Sequence, residues 1–325
     1  MKTKYIGVDL GGTHLRSAVI DSQSGNVAAL KQIPTLAREG HKAVIQRMAE
    51  LIKDVIHAGG YATSEIGAVG IGVPGLLDLE RNTVLFVPNL PDNWLNVSLR
   101  VMIEEHIGIP TYLLNDARAM TYGEWKFGAG RGVDTIACFT LGTGIGGGLV
   151  INSRLHLGVG GSAGELGHQI VEINGLPCGC GGRGCLEVYA SGPAIAAMGI
   201  KAVLQGLTTQ LGGMVDYDMD KITPEVIYKA ASQGDKISLE IYQRAGYYIG
   251  IAVSNVIASV CPRKVVIGGG VSQAGELLIE PIRKTVLDRV HIVPASQVQI
   301  LRAELGTNAG LIGAAIWAAS QSNVQ

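Results

Sequence analysis

Residues 7–21 read GVDLGGTHLRSAVID and residues 138–152 read CFTLGTGIGGGLVIN. The two align without a gap, matching at Leu10/Leu141, Gly11/Gly142, Val19/Val150 and Ile20/Ile151. Each is an apolar strand, a Gly-rich turn and a second apolar strand, the pattern of a β-hairpin with an open tip. So few identities among apolar, Gly-rich positions carry little weight alone. The shared order of strand, tip and strand points to a duplicated unit. Asp9 has Thr140 as its counterpart, so one copy carries a charge where the other does not.

Outward from these hairpins, residues 6–9, 17–21 and 27–33 read as strands. Residues 40–58 read as a helix, with Val44, Ile45, Met48, Leu51, Ile52 and Val55 at helical spacing. A strand over 68–73, a helix over 97–106, a strand over 111–115 and a helix over 117–126 follow. Strands resume at 135–140, and a long helix over 237–260 stops at Cys261-Pro262. A strand at 264–268 runs into Gly268-Gly269-Gly270, with helices expected over 276–290 and 306–319. Alternating strands and helices in two related halves predict an α/β protein. The expected division is a small α/β lobe over 1–116 and a large α/β lobe over 117–305. A C-terminal helix near 306–320 is expected to pack back on the small lobe.

A chain of 325 residues, 47% of them hydrophobic, has material for two cores. Its net charge of −1 leaves no basic surplus for sequence-nonspecific nucleic-acid binding, and no Lys/Arg run suggests an anionic membrane surface. No apolar run approaches the ~18 residues of a membrane span. Met1–Lys4 leads almost at once into a strand, which leaves no place for a leader peptide; a cytoplasmic protein is expected. Three of the five cysteines crowd into 178–185, which suits a metal better than disulfides. The 46 glycines concentrate at 11–12, 142–148, 158–167, 179–184 and 268–270. Without a Cβ, the backbone N–H groups there can approach a ligand closely, as several contacts to one polyanion require.

Asp9-Leu10-Gly11-Gly12-Thr13 and Leu141-Gly142-Thr143-Gly144 each offer free N–H groups and a Thr hydroxyl. Either alone could be an ordinary tight turn. In register on a duplicated hairpin, the two together could clamp the triphosphate of ATP from both sides. Asp9 would then hold Mg²⁺, mostly through water. Gly269 and Gly270, after a strand, offer flat backbone for adenine. Neither a Walker A motif nor a Rossmann GxGxxG after the first strand is present, so ATP would be held by some other fold.

His168, Cys178, Cys180 and Cys185 form H-x9-C-x-C-x4-C, a closed Cys3His set of the kind structural Zn²⁺ prefers. The other reading of these residues is buried or redox thiols with a bystander histidine. Four protein ligands leave no place for a reactive water, so the zinc would be structural.

Asn115-Asp116 ends a strand and opens a helix. Such residues often only cap a helix. At the end of the first lobe, though, Asp116 is placed to accept a hydroxyl proton and Asn115 to hydrogen-bond that hydroxyl, as phosphoryl transfer to an alcohol needs. Glu165 and His168, three apart, would share a face on a helix, and zinc would tie Glu187 to the same spot. Carboxylates and imidazole suit vicinal hydroxyls, which donate and accept. His168 could serve twice, one ring nitrogen on zinc and the other on a sugar oxygen.

Together these residues resemble the ROK family of sugar kinases and sugar-responsive repressors. Asp9–Thr13 and Leu141–Gly148 resemble its phosphate motifs, and Asn115-Asp116-Ala117 its NDA. Glu165-Leu166-Gly167-His168 with Cys178–Glu187 resembles its ExGH…CxCGxxGCxE signature. The resemblance runs from about residue 5 to 319. It implies a two-lobed actin-like ATPase (hexokinase/ribonuclease H-like) fold and a glucokinase-like enzyme, usually a homodimer or homotetramer, using ATP, Mg²⁺ and structural Zn²⁺. Carried over position by position, it makes Asp116 the base. Asn115, Glu165, His168 and Glu187 become sugar contacts, with Gly75 and Asn89 as further ones. Arg118 stands where many members have a smaller polar residue.

Alternatives remain open at this point. The acceptor could be an N-acylhexosamine (N-acetylmannosamine or N-acetylglucosamine) or fructose rather than glucose. A repressor would carry a DNA-binding domain before the first phosphate strand, which here starts at residue 5. A catalytically dead sugar binder is at odds with intact Asp9, Asp116 and both tips.

Overall fold

The computed structural model describes residues 2–87 and 90–322. Strand β1 (Lys4–Leu10) is covered on both faces, and its alternate residues serve different layers. Ile6, Val8 and Leu10 are buried among Val44, Ile45, Met48 and Ile52, whereas Tyr5 is buried with Leu311, Ile312, Ala315 and Ile316. A strand enclosed this way needs crossover connections on either side of its sheet.

Those connections follow in chain order. After β1 come β2 (His14–Asp21), β3 (Val27–Pro34), α1 (His41–Ala58) and β4 (Ile66–Val73). A ribbon of β5 (Leu76–Asp78) and β6 (Thr83–Phe86) precedes α2 (Leu99–Ile107) and β7 (Thr111–Asn115). The sheet order is β3-β2-β1-β4-β7, antiparallel through the first three strands of the chain and parallel across β1, β4 and β7. Helix α3 (Asp116–Phe127) leads to β8 (Ile136–Leu141), β9 (Ile145–Ile151) and β10 (Arg154–Leu155). Then come α4 (Glu187–Ala190), α5 (Gly192–Leu204), α6 (Leu211–Met214), α7 (Pro224–Ser232) and α8 (Lys236–Val260). The chain closes with β11 (Lys264–Gly268), α9 (Glu276–Arg289), β12 (Gln299–Arg302) and α10 (Ala309–Ser322). The second sheet, β10-β9-β8-β11-β12, repeats the strand order of the first.

Duplication is thus visible in topology, but the gapless alignment holds on one strand of each hairpin only. In the first hairpin Leu10 pairs with Leu15; in the second, Leu141 pairs with Ile145. The second tip is one residue shorter, so with Leu10 set on Leu141 the structural partner of Val19 is Leu149, not Val150. The identities at Val19/Val150 and Ile20/Ile151 are therefore one residue out of register. Because side chains alternate along a strand, such a slip would turn each one to the opposite face.

The helix that leaves each sheet packs on the other half. α3 lies against β8 and β9, α10 lies against β1, β4 and β7, and the two helices cross each other. Their approach is close because small residues meet. A Cβ added at Gly313 would sit 1.6 Å from the Ala119 carbonyl oxygen, and one at Gly123 would sit 2.4 Å from that of Ala309. The expected helix over 306–319 is a short 3-10 turn, Gly306–Asn308, followed by α10.

Candidate active site

Parallel pairing brings Asp9, Gly72 and Leu114 into one row across β1, β4 and β7, with Asn115 opposite Val73. Asp9 and Asp116 therefore share the carboxyl-end edge of the first sheet, where open α/β sheets bind ligands. Gly72 lies under the start of α3: a Cβ there would be 3.7 Å from Asp116 Cα, an ordinary contact. Burial, with the charge of Asp116, raises Asp9 to about 6, while Arg16, its partner across the hairpin, pulls the other way. Arg16 also donates to the Thr307 carbonyl and to Asn308 Oδ1 just before α10.

Asn115, not Asp116, is the N-cap of α3. Its Oδ1 accepts from the N–H groups of Ala117 (3.0 Å) and Arg118 (3.3 Å), and its Nδ2 donates to the Gly75 carbonyl at 3.2 Å. The Asp116 carboxylate accepts from the Ala117 N–H at 2.8 Å. Burial holds Asp116 above the usual carboxylate range against that bond and the Arg118 charge. Glu165 reaches this group through Arg118, whose guanidinium bonds Glu165 Oε1 and Asn115 Oδ1, both at 2.8 Å. A pocket here is walled by Gly75, Leu76, Leu77, Leu79, Asn115, Arg118, Gly161, Ser162 and Glu165. In sequence Arg118 stands out only as a departure from the family pattern; its bonds to Asn115 and Glu165 emerge in the fold. The available signal was an arginine set among Ala117, Ala119 and Met120 in the first turns of the helix.

The second hairpin comes beside this group along α3: a Cβ at Gly146 would lie 2.7 Å from the Ala117 methyl. At its tip the Ile145 N–H donates to Glu187 Oε2 at 2.8 Å, and the Gly192 N–H at the start of α5 donates to the Gly142 carbonyl at 2.8 Å. Gly12, Thr13 and Thr143 are exposed, and Gly11, Gly142 and Gly144 are partly so. Gly269, at φ 84, seats its loop against Leu141, where any Cβ would be 2.3 Å from the carbonyl oxygen. Gly270 and Gly142 have open space where a Cβ would stand. Of the proposed adenine platform, then, Gly270 is open while Gly269 is packed.

His168, Cys178, Cys180 and Cys185 bring their ligand atoms within 4.8 Å of one another. The separations are 3.7 Å from Cys178 Sγ to His168 Nδ1 and 3.7 Å from Cys180 Sγ to Cys185 Sγ. Tetrahedral zinc with Zn–S bonds near 2.3 Å separates its sulfurs by about 3.8 Å, so the set fits the ion in donor type and in spacing. Burial and the neighbouring thiols push Cys185 up to about 12, which a bound cation reverses by taking the thiolate. Glu165 and His168 do not share an α-helical face. Leu166–His168 is a single 3-10 turn with Glu165 outside it; Glu165 turns to Arg118 and His168 to Cys178. Glu187, two residues past Cys185, reaches the hairpin tip. Asn89 lies outside the described residues.

A model of the ROK family matches residues 5–321. The chain belongs to the ROK family. A glucokinase of Thermotoga maritima is 40% identical over 317 residues, which span 97% of this ROK chain and 96% of the relative. A ROK family glucokinase from Streptomyces griseus, solved with glucose and AMPPNP, is 35% identical. It superposes with a TM-score of 0.83 over 98% of this chain and 99% of its own. A ROK family transcriptional regulator, a homologue of the E. coli MLC protein, is 27% identical with a TM-score of 0.86. It matches 99% of this chain and 79% of its own. This ROK protein therefore has the two-lobed actin-like ATPase fold. Among the described residues, no helix is long and apolar enough to cross a membrane.

Proposed function

We propose that this ROK protein is an ATP-dependent hexose kinase acting chiefly on glucose at its 6-hydroxyl. The observation that carries the reading is the half-buried Asp116 at the start of α3, beside a pocket edged by Asn115, Gly75 and Glu165. The 40% identity to a glucokinase and the likeness to one solved with glucose and AMPPNP support it.

In this reading Asp116 takes the hydroxyl proton as the oxygen attacks the γ-phosphorus and ADP leaves. Asn115, Glu165, His168 and Glu187, with Gly75 and Asn89, hold the sugar. Gly11, Gly12 and Thr13 and Gly142, Thr143 and Gly144 hold the phosphates, and Gly269 and Gly270 line the nucleotide. Asp9 would hold Mg²⁺, whose part is to neutralise phosphate charge. The zinc set would anchor the loop bearing His168 and Glu187. The lobes divide near Asn115 and Asp116, and the protein works in the cytoplasm as a homodimer or homotetramer.

The test is kcat/KM for glucose, mannose, fructose, N-acetylglucosamine and N-acetylmannosamine at saturating MgATP. Glucose should lead. The apolar wall of Leu76, Leu77 and Leu79 could seat an acetyl methyl, which is why the N-acetyl sugars belong in the panel. One of them outrunning glucose tenfold, about 1.4 kcal/mol of transition-state preference, would replace the substrate and keep the mechanism.

A further inference from the structure

The Arg118 side chain is 3% exposed, and its guanidinium bonds three acceptors, one at the start of its own helix and two on the loop over 163–165. Nε donates to the Ala163 carbonyl at 2.9 Å, Nη1 to Asn115 Oδ1 and Nη2 to Glu165 Oε1. A buried cation is costly unless its charge and its donors are matched. Here the matching groups include two of the residues that the kinase reading assigns to the sugar.

We propose that Arg118 is a positioning residue for the acceptor sugar, fixing the hydrogen-bond polarity of Asn115 and the placement of Glu165 without touching the reacting atoms. The proposal rests on the kinase reading above and adds what sets its acceptor site.

Asn115 Oδ1 already faces three donors: the Ala117 N–H, the Arg118 N–H and Arg118 Nη1. An amide oxygen has two lone pairs, so this one is saturated. Nδ2 spends one hydrogen on the Gly75 carbonyl, which leaves Asn115 one N–H to offer a ligand. A sugar hydroxyl meeting Asn115 must therefore accept from it, and its own proton is directed elsewhere. That is the polarity a nucleophilic hydroxyl needs beside the base Asp116. The ion pair fixes Glu165 through Oε1 and leaves Oε2 to accept from a second hydroxyl. Both effects need the planar fork: lysine keeps the charge, but its donors sit on one nitrogen and do not reproduce the spacing of the three bonds.

The test uses Arg118→Lys and Arg118→Gln in the full chain. Glucose and ATP are varied in turn, and kcat/KM for glucose is followed against pH. Both variants should raise the glucose KM at least tenfold and leave the ATP KM within twofold. In Arg118→Gln the acid limb should also move to higher pH, because a positive charge that favours ionised Asp116 is gone; in Arg118→Lys it should stay. Adding Glu165→Gln to Arg118→Lys should cost less than the two single losses combined. If Arg118→Gln does not fold, Arg118→Lys carries the KM comparison alone. An unchanged glucose KM, or equal rises for glucose and ATP, would overturn the positioning role. A wild-type protein inert on every hexose would instead remove the kinase reading on which it rests.

Discussion

Asp9 and Asp116 stand at the same edge of one sheet, and burial together with the Asp116 charge raises Asp9 to about 6. Two partly buried carboxyls at one sheet edge resist ionising together. A cation held by Asp9 would favour its ionised form and ease that conflict. The pair also separates two roles that mutation can test.

Asp116→Asn should lower kcat by ~10²–10⁴-fold, the range of a general base, with sugar affinity changed only modestly. In the wild type, kcat/KM should rise with pH as Asp116, held above the usual carboxylate range by burial, gives up its proton. Steady-state kinetics with glucose-binding measurements check both. Near-wild-type turnover in the variant would reduce Asp116 to a part of the helix start.

Asp9→Asn should abolish turnover yet stabilise the ligand-free protein. Asp9 has an ordinary value of 3.8 and about 6 in the fold. Between those values the folded state binds the extra proton, so its destabilising effect grows as pH rises from about 4 to 6 and is complete above. The gain at pH 7.5 should be of order 1–3 kcal/mol, partial solvent access keeping it below the full shift. Denaturant melts at pH 4 and 7.5 should show the difference at the higher pH only. Equal stability of the two proteins at both would falsify the electrostatic account.

Purified protein should contain one zinc per chain, and Cys180→Ser should lose it. The loop that carries His168 and Glu187 would then lose its anchor, so glucose affinity should fall more than ATP affinity. Metal analysis and calorimetry read the two effects. Fully active protein that contains no zinc would remove the structural ion.

Gly313→Ala should destabilise by about 2–4 kcal/mol, because its Cβ would meet the Ala119 carbonyl at 1.6 Å and backbone cannot step aside cheaply. Gly310→Ala is the control: its Cβ meets nothing nearer than Asp9 Cγ at 4.0 Å. Melts in which both substitutions behave alike would mean that the α3–α10 crossing is loose.

The sequence alone determined what neighbouring residues impose on one another. The strand over Thr111–Asn115 and the strand over Lys264–Gly268 stand where short apolar runs bounded by turn residues put them. The Cys3His set was readable because its cysteines lie within one tight loop, where Gly184 at φ 74 lets the chain turn. Tertiary structure decided what joins distant segments. Nothing in the sequence tells what Arg118 bonds; Asn115 lies near it in the chain, but Ala163 and Glu165 reach it only in the fold. Glu124, fully buried on the same helix, is satisfied by the N–H groups of Ala129, Glu304 and Leu305, two of them some 180 residues away. The same holds for the one-residue shortening of the second tip, which only cross-strand pairing reveals. Local backbone geometry is set by a residue and its immediate neighbours. Whether a charge is solvated or buried depends on which remote groups the fold brings to it.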